Sequence, residues 1–172
     1  ILHSEILPQK ALEEIFALTA PLDVMPYLIS NGESYASPED IKHSGHFHMG
    51  IYQEMMERIT LKVDSVADFY RETKAPVEKL NLYSATPQIR EEIYQAIQHL
   101  PVTAAFAETT SLELSPAGVS KASGLSWLCG YLGLSLTQTI IVGDADNDAE
   151  AMKAAGLSVA MGNAREHIKA LC

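Results

Sequence analysis

The stretch TIIVGDADNDAEAM, Thr139 to Met152, decides the fold. An apolar run, Thr139-Ile140-Ile141-Val142, reaches Gly143 and then delivers Asp144, Asp146 and Asp148. Such a run, followed at once by helical spacing, predicts a short buried strand and the start of a helix. In an open parallel sheet, ligands bind beyond the carboxyl ends of the strands. Asp144 falls at that end, and Asp148 falls in the first turn of the next helix, where the helix dipole favours an anion. Closely spaced carboxylates repel unless a cation shares them, and oxygen-only ligation suits Mg2+. Helix capping by solvated carboxylates is the plainer alternative. An EF-hand loop is excluded, because Ala149 and Ala155 stand where Gly and Glu are needed.

Outward from this stretch the rhythm is strand–helix. Val119–Leu132 reads as a helix ended by Gly133, Ala145–Ala155 as a second, Leu157–Ala160 as a strand, and Ala164 as the start of a last helix. This alternation predicts a parallel sheet covered on both faces. Lys121 follows the turn Pro116-Ala117-Gly118 and opens a helix, where its ammonium can meet a phosphoryl group. Val159–Ala164 ends a strand with Gly162-Asn163, a loop that can lie against the same crevice. Gly143, lacking a side chain, offers substrate a close approach.

The preceding residues differ in pattern. Pro8–Ala20 has helical spacing. Asp23–Ser30 reads as a strand meeting the hairpin signal Asn31-Gly32. Ser37–Met49 is polar and His-rich, and Ile51–Ile59 and Val66–Glu72 are helical in pattern. VEKLNLYS, Val77–Ser84, alternates as a half-buried strand does, Pro87–Leu100 is an amphipathic helix, and Val102–Glu108 with Ser111–Leu114 forms a hairpin. The composition shift at SPAGVSKASG divides the chain into residues 1–116 and 117–172.

The chain has 172 residues, is 47% apolar and 20% charged, and carries a formal charge of −10. That charge speaks against a nucleic-acid or anionic-membrane partner, since both require a cationic face. A phosphate ester needs only a few local cations or a metal. Cys129 and Cys172 lack sequence partners, so a reducing, cytoplasmic compartment is expected. The sequence opens ILHSEILPQ, its first Met is Met25, and it is read as a piece of a longer protein. His43, His46 and His48 could share Zn2+ or Ni2+, but a solvated loop is the better reading. Met55, Met56 and Trp127 read as packing residues, and Tyr27, Tyr35, Tyr52, Tyr70 and Tyr83 as half-buried.

Together, SPAGVSKASGL, IIVGDADNDAEAM and AGLSVAMGNA resemble the C-terminal half of the haloacid-dehalogenase superfamily, most closely its Cof-type phosphatases. Residues 1–114 are similar to the α/β cap of that branch, with Lys79 where a cap lysine often appears. The resemblance implies an α/β cap plus part of a Rossmann-like parallel-sheet core. It implies a Mg2+-dependent phosphohydrolase of small phosphate monoesters, such as sugar phosphates, acting through an aspartyl phosphate. It makes Lys121 the cation that orients phosphate and nucleophile, and Asp144 and Asp148 the metal ligands. Asn147, Gly143 and Asn163 would face substrate, while Asp146 falls in a variable slot. The expected nucleophile is an aspartate of an N-terminal DxD motif. Asp23, Asp40, Asp64 and Asp68 have no such spacing, so the chain by itself is expected to be inactive. The alternative is a non-catalytic α/β module that binds a ligand or dimerises.

Overall fold

The computed structural model describes residues 2–172. The chain divides into two compact units, Ile1–Ala117 and Gly118–Cys172.

The first unit is built on a six-stranded mixed sheet. Its strands are β1 (Val24–Ser30), β2 (Glu33–Ala36), β3 (Leu61–Lys62), β4 (Lys79–Ser84), β5 (Val102–Phe106) and β6 (Ser111–Pro116), in the order β3-β2-β1-β4-β6-β5. Only the β2–β3 pairing is parallel. The β1–β2 hairpin turns through Asn31 and Gly32 at φ 53° and 80°, as a type I′ turn requires. Strand register sorts the side chains. Leu28 faces Leu80, which faces Leu114, and Leu82 faces Leu112. This leucine layer is fully buried beneath α1 (Gln9–Thr19), α4 (Val66–Thr73) and α5 (Pro87–Ala96), which bring Leu12, Ile15, Phe16, Tyr70 and Ile93 to it. Each such side chain contributes about 1.5–3 kcal/mol on burial. Ser65 and Thr86 cap α4 and α5 by accepting from the N–H groups of Asp68 and Ile89.

The opposite sheet face carries Met25, Tyr27 and Tyr83, covered by α2 (Pro38–Lys42) and α3 (Gln53–Ile59) through Ile41 and Met56. β4 is therefore buried on both faces rather than half-buried: Asn81 and Tyr83 are buried, as are the leucines between them. Tyr27 and Tyr70 are also buried rather than half-buried. Of the two adjacent methionines only Met56 packs inside, because Met55 points from the outer side of α3 and is 45% exposed. α5 stops at Ala96, short of the predicted Leu100, because Ile97 and Leu100 close a turn that feeds β5.

The second unit comprises α6 (Lys121–Leu132), β7 (Ile140–Gly143), α7 (Ala149–Ala154), β8 (Leu157–Ala160) and α8 (Glu166–Lys169). β7 and β8 pair in parallel, and Met152, Ala164 and Ile168 form a small core against Ile141 and Ala160. Among the described residues the predicted double cover is absent. Ile140 pairs with Leu157 and Val142 with Val159, and all four lie 41–65% exposed on one face. Cys129 is the buried residue of α6. Trp127, expected in the core, is half-buried and stacks on the exposed Tyr131 at 5.4 Å. Among the described residues no helix is long and apolar enough to cross a membrane.

Candidate functional site

The polar cluster of the second unit gathers where β7 ends. Gly143 closes the strand, and the chain turns through a 3-10 segment, Asp146–Asp148, into α7. The turn folds Asp148 back beneath it. One carboxylate oxygen of Asp148, Oδ2, accepts the backbone N–H groups of Asp144 at 3.0 Å and Ala145 at 3.2 Å. The other, Oδ1, accepts from the Lys121 ammonium. Asp148 is buried, and burial alone raises a carboxyl pKa. Here the Lys121 bond and the two backbone donors outweigh burial and hold Asp148 below the usual carboxylate range.

Lys121 is the first residue of α6. Ser120 caps that helix by accepting from Ser123 N–H, while Ser123 Oγ accepts from Ser120 N–H. The lysine side chain is 55% exposed and also reaches Asn147 Oδ1 at 3.4 Å, so its ammonium spans the loop and still faces solvent. Asp144 is exposed, and its Oδ2 accepts from Asn163 Nδ2 at 3.2 Å. The Val159–Ala164 loop is held there by Met161 N–H donating to Gly143 O at 2.9 Å. Lys121, Asp144, Asn147, Asp148 and Asn163 thus converge on one end of the β7–β8 pair.

Gly143 and Asp146 complete the turn. The side-chain direction at Gly143 is filled by the chain itself. A Cβ at this position would stand 2.6 Å from Asp148 Cβ and 2.9 Å from Met152 Sδ. Glycine is needed here so that Asp148 can fold under the strand end. Asp146 turns away and pairs with Arg165 at 2.7 Å and with His167, tying the loop to α8. Sequence reading missed these partners, because only the fold brings residues 165 and 167 beside residue 146.

The donor set is all oxygen, as a hard divalent cation prefers. Both oxygens of Asp148 are engaged by protein donors, so Asp144 offers the freer carboxylate. Among the described residues no group of three or more His, Cys, Asp and Glu side chains is disposed to hold a metal. The residues present fit one side of a Mg2+ shell, not all of it. The three histidines are apart in their bonding: His43 with Glu39, His46 with Asp23 at 2.7 Å, and His48 with the Ala85 carbonyl. Lys79 pairs with Glu113 at 2.5 Å within the first unit.

The lysine and aspartates thus stand beyond the carboxyl end of a parallel strand, where open α/β sheets place their ligand sites. Residues 1–172 match the haloacid dehalogenase-like hydrolases, and the chain belongs to that family. It is 29% identical over 136 residues to Phosphatase YwpJ of Bacillus subtilis, covering 79% of this chain and 44% of that protein. It is 28% identical over 120 residues to a phosphoglycolate phosphatase of Methanobrevibacter smithii, covering 68% of this chain and 50% of that one. A solved haloacid dehalogenase-like hydrolase from B. subtilis superposes with a TM-score of 0.79 at 22% identity, covering 98% of this chain and 65% of the other. The chain therefore spans about half the length of these curated relatives, and less than two thirds of that solved neighbour.

Proposed function

We propose that this chain belongs to a Mg2+-dependent phosphohydrolase of small phosphate monoesters, sugar phosphates among them. In this reading Ile1–Ala117 serves as an α/β cap and Gly118–Cys172 as part of a Rossmann-like core. The observation that carries the reading is the Lys121 ammonium, held by Asp148 and Asn147 beside Asp144 while still open to solvent. Asp148 is a positioning residue: it aims Lys121 and holds the N–H groups of the Asp144 loop. Lys121 orients the phosphoryl group and balances its charge. Asp144, with Asn147 and Asn163, would hold the metal or its waters. A bound Mg2+ would supply Lewis-acid stabilisation of phosphoryl oxygens.

The nucleophile of this reading is an aspartate outside the 172 residues. Its carboxylate oxygen would bond to phosphorus as the P–O ester bond breaks and the leaving oxygen takes a proton from a general acid; water, giving its proton back to that group, would then attack phosphorus, breaking the acyl-phosphate bond to release phosphate and restore the carboxylate. The bare face of Ile140, Val142, Leu157 and Val159 suits such an added segment, since two parallel strands alone are below the size of a stable sheet. Phosphate release from p-nitrophenyl phosphate with Mg2+ tests the reading. The expected result is no turnover by this chain and turnover by a longer polypeptide with the nucleophile. Turnover by this chain at the rate of intact relatives would refute it.

A further inference from the structure

Asp146 lies between Asp144 and Asp148, and at its carboxylate two segments of the chain meet. Oδ2 accepts from the Arg165 guanidinium at 2.7 Å, and Oδ1 is engaged by His167 Nε2. Each oxygen has its own partner, so the carboxylate is fixed in two directions rather than one.

The two sides of this clamp differ in rigidity. Arg165 leads into α8, and its carbonyl accepts the N–H groups of Ile168 and Lys169 at 3.0 Å. Ile168 is fully buried against Met152 and Ala164, so Arg165 and His167 stand on the core of the unit. Asp146 stands in a 3-10 turn, closed by Asp148 N–H donating to Ala145 O at 3.0 Å, and such turns are short and poorly bonded. Asp144 enters that turn, and its Oδ2 meets Asn163, two residues before Arg165. The clamp thus ties the weaker loop to the firmer one beside the Asp144–Asn163 contact.

The side chains of Asp146, Arg165 and His167 are 47%, 64% and 59% exposed. Ion pairs so open to water contribute little to fold stability. Their effect therefore lies in where they place the loop.

We propose that Arg165 and His167 are positioning residues: by clamping Asp146 they hold the Asp144 carboxylate and Asn163 in one arrangement, and so raise the affinity of this loop for a divalent cation. The inference rests on the reading of Asp144 as the metal-facing carboxylate. It has a sign that charge alone does not give. Removing cationic Arg165 leaves the loop more negative, which by Coulomb attraction would tighten a divalent cation. Loss of positioning weakens it instead, because the loop must then be ordered during binding. Partners that orient metal ligands are typically worth about 10–100-fold in affinity. Arg165 acts through an exposed carboxylate two residues from Asp144, so the lower end of that range is expected.

Nitrogen-15 relaxation without metal, and Mn2+ titration read by amide broadening, test the proposal on this chain and its Arg165→Met, Arg165→Lys and Asp144→Asn variants. In Arg165→Met the order parameters of residues 144–147 are expected to fall from roughly 0.85 toward 0.6. Mn2+ should bind about tenfold more weakly, Arg165→Lys should recover most of both effects, and amide signals outside the two loops should stay in place. Unchanged order parameters in Arg165→Met overturn the proposal, and so does Mn2+ binding that is equal or tighter. Asp144→Asn separates the clamp from the reading beneath it. If that variant abolishes the broadening while Arg165→Met does not weaken it, the clamp alone fails. If the broadening ignores Asp144→Asn, the cation reading itself fails and the proposal falls with it.

Discussion

Replacing Lys121 with methionine should make this chain acid-labile and should cripple any longer enzyme built on it. Asp148 is buried and its Oδ1 loses its cation, while Oδ2 keeps two backbone donors. Removing one partner of a fully buried pair costs about 3–5 kcal/mol. Here the lysine side chain is 55% exposed, so water screens the loss and about 1–2 kcal/mol is expected. The pH dependence has a definite sign. The folded-state pKa of Asp148 lies below its unfolded value of about 3.9, so the ionised carboxylate stabilises the fold above that pH. That contribution disappears as pH falls through the lower folded value. Without Lys121 the burial effect loses its largest opponent, the Asp148 pKa rises, and acid unfolding moves to higher pH. Acid titration followed by circular dichroism measures this, and an unmoved midpoint would remove Lys121 from the electrostatics of the loop. If the proposed phosphohydrolase reading holds, losing a preorganised cation at the phosphoryl group should lower the kcat of an active enzyme carrying this unit about 10²–10³-fold.

Gly156→Ala is expected to unfold residues 118–172 at ambient temperature. Its new Cβ would stand 2.0 Å from the carbonyl oxygen of Thr137, which is backbone and cannot swing aside. The two segments are stitched together on either side of this point: Gly156 N–H donates to Leu136 O at 3.0 Å, and Leu157 N–H to Thr139 O at 3.1 Å. Relieving the overlap breaks both bonds and costs about 3 kcal/mol or more. A unit of about 55 residues has only roughly 3–8 kcal/mol to lose. Gly130→Ala is the control. It lies inside α6 with nothing within 4 Å of its added methyl, and should stabilise the helix by about 0.5–1 kcal/mol. Amide spectra of both variants decide the matter; a native spectrum for Gly156→Ala would show that the chain can open there without cost.

Local rules carried the sequence reading far where one short signal sufficed. Asn31-Gly32 announced its hairpin, and Gly133, at φ 69°, ends α6 as a left-handed cap does. The carboxylates after β7 were visible as a cluster. Their division of labour was not, because it depends on the 3-10 turn that points Asp148 inward and leaves Asp144 outside. Asn81 made β4 look half-solvated, yet the α2–α3 segment covers that face, and such cover is a long-range fact. Trp127 misled for a related reason: helical spacing marks an apolar face of α6, but among the described residues only Cys129 of that helix is fully buried.

The most direct test of the central claim is paramagnetic broadening of amide resonances by Mn2+, a stand-in for Mg2+, added to this chain. An open carboxylate at Asp144, with Asn147 and Asn163 beside it, predicts that the signals of residues 143–148 and 163 vanish first, and that Asp144→Asn abolishes the effect. Broadening that is absent from this loop, or centred on His43–His48, or indifferent to Asp144→Asn, would contradict it.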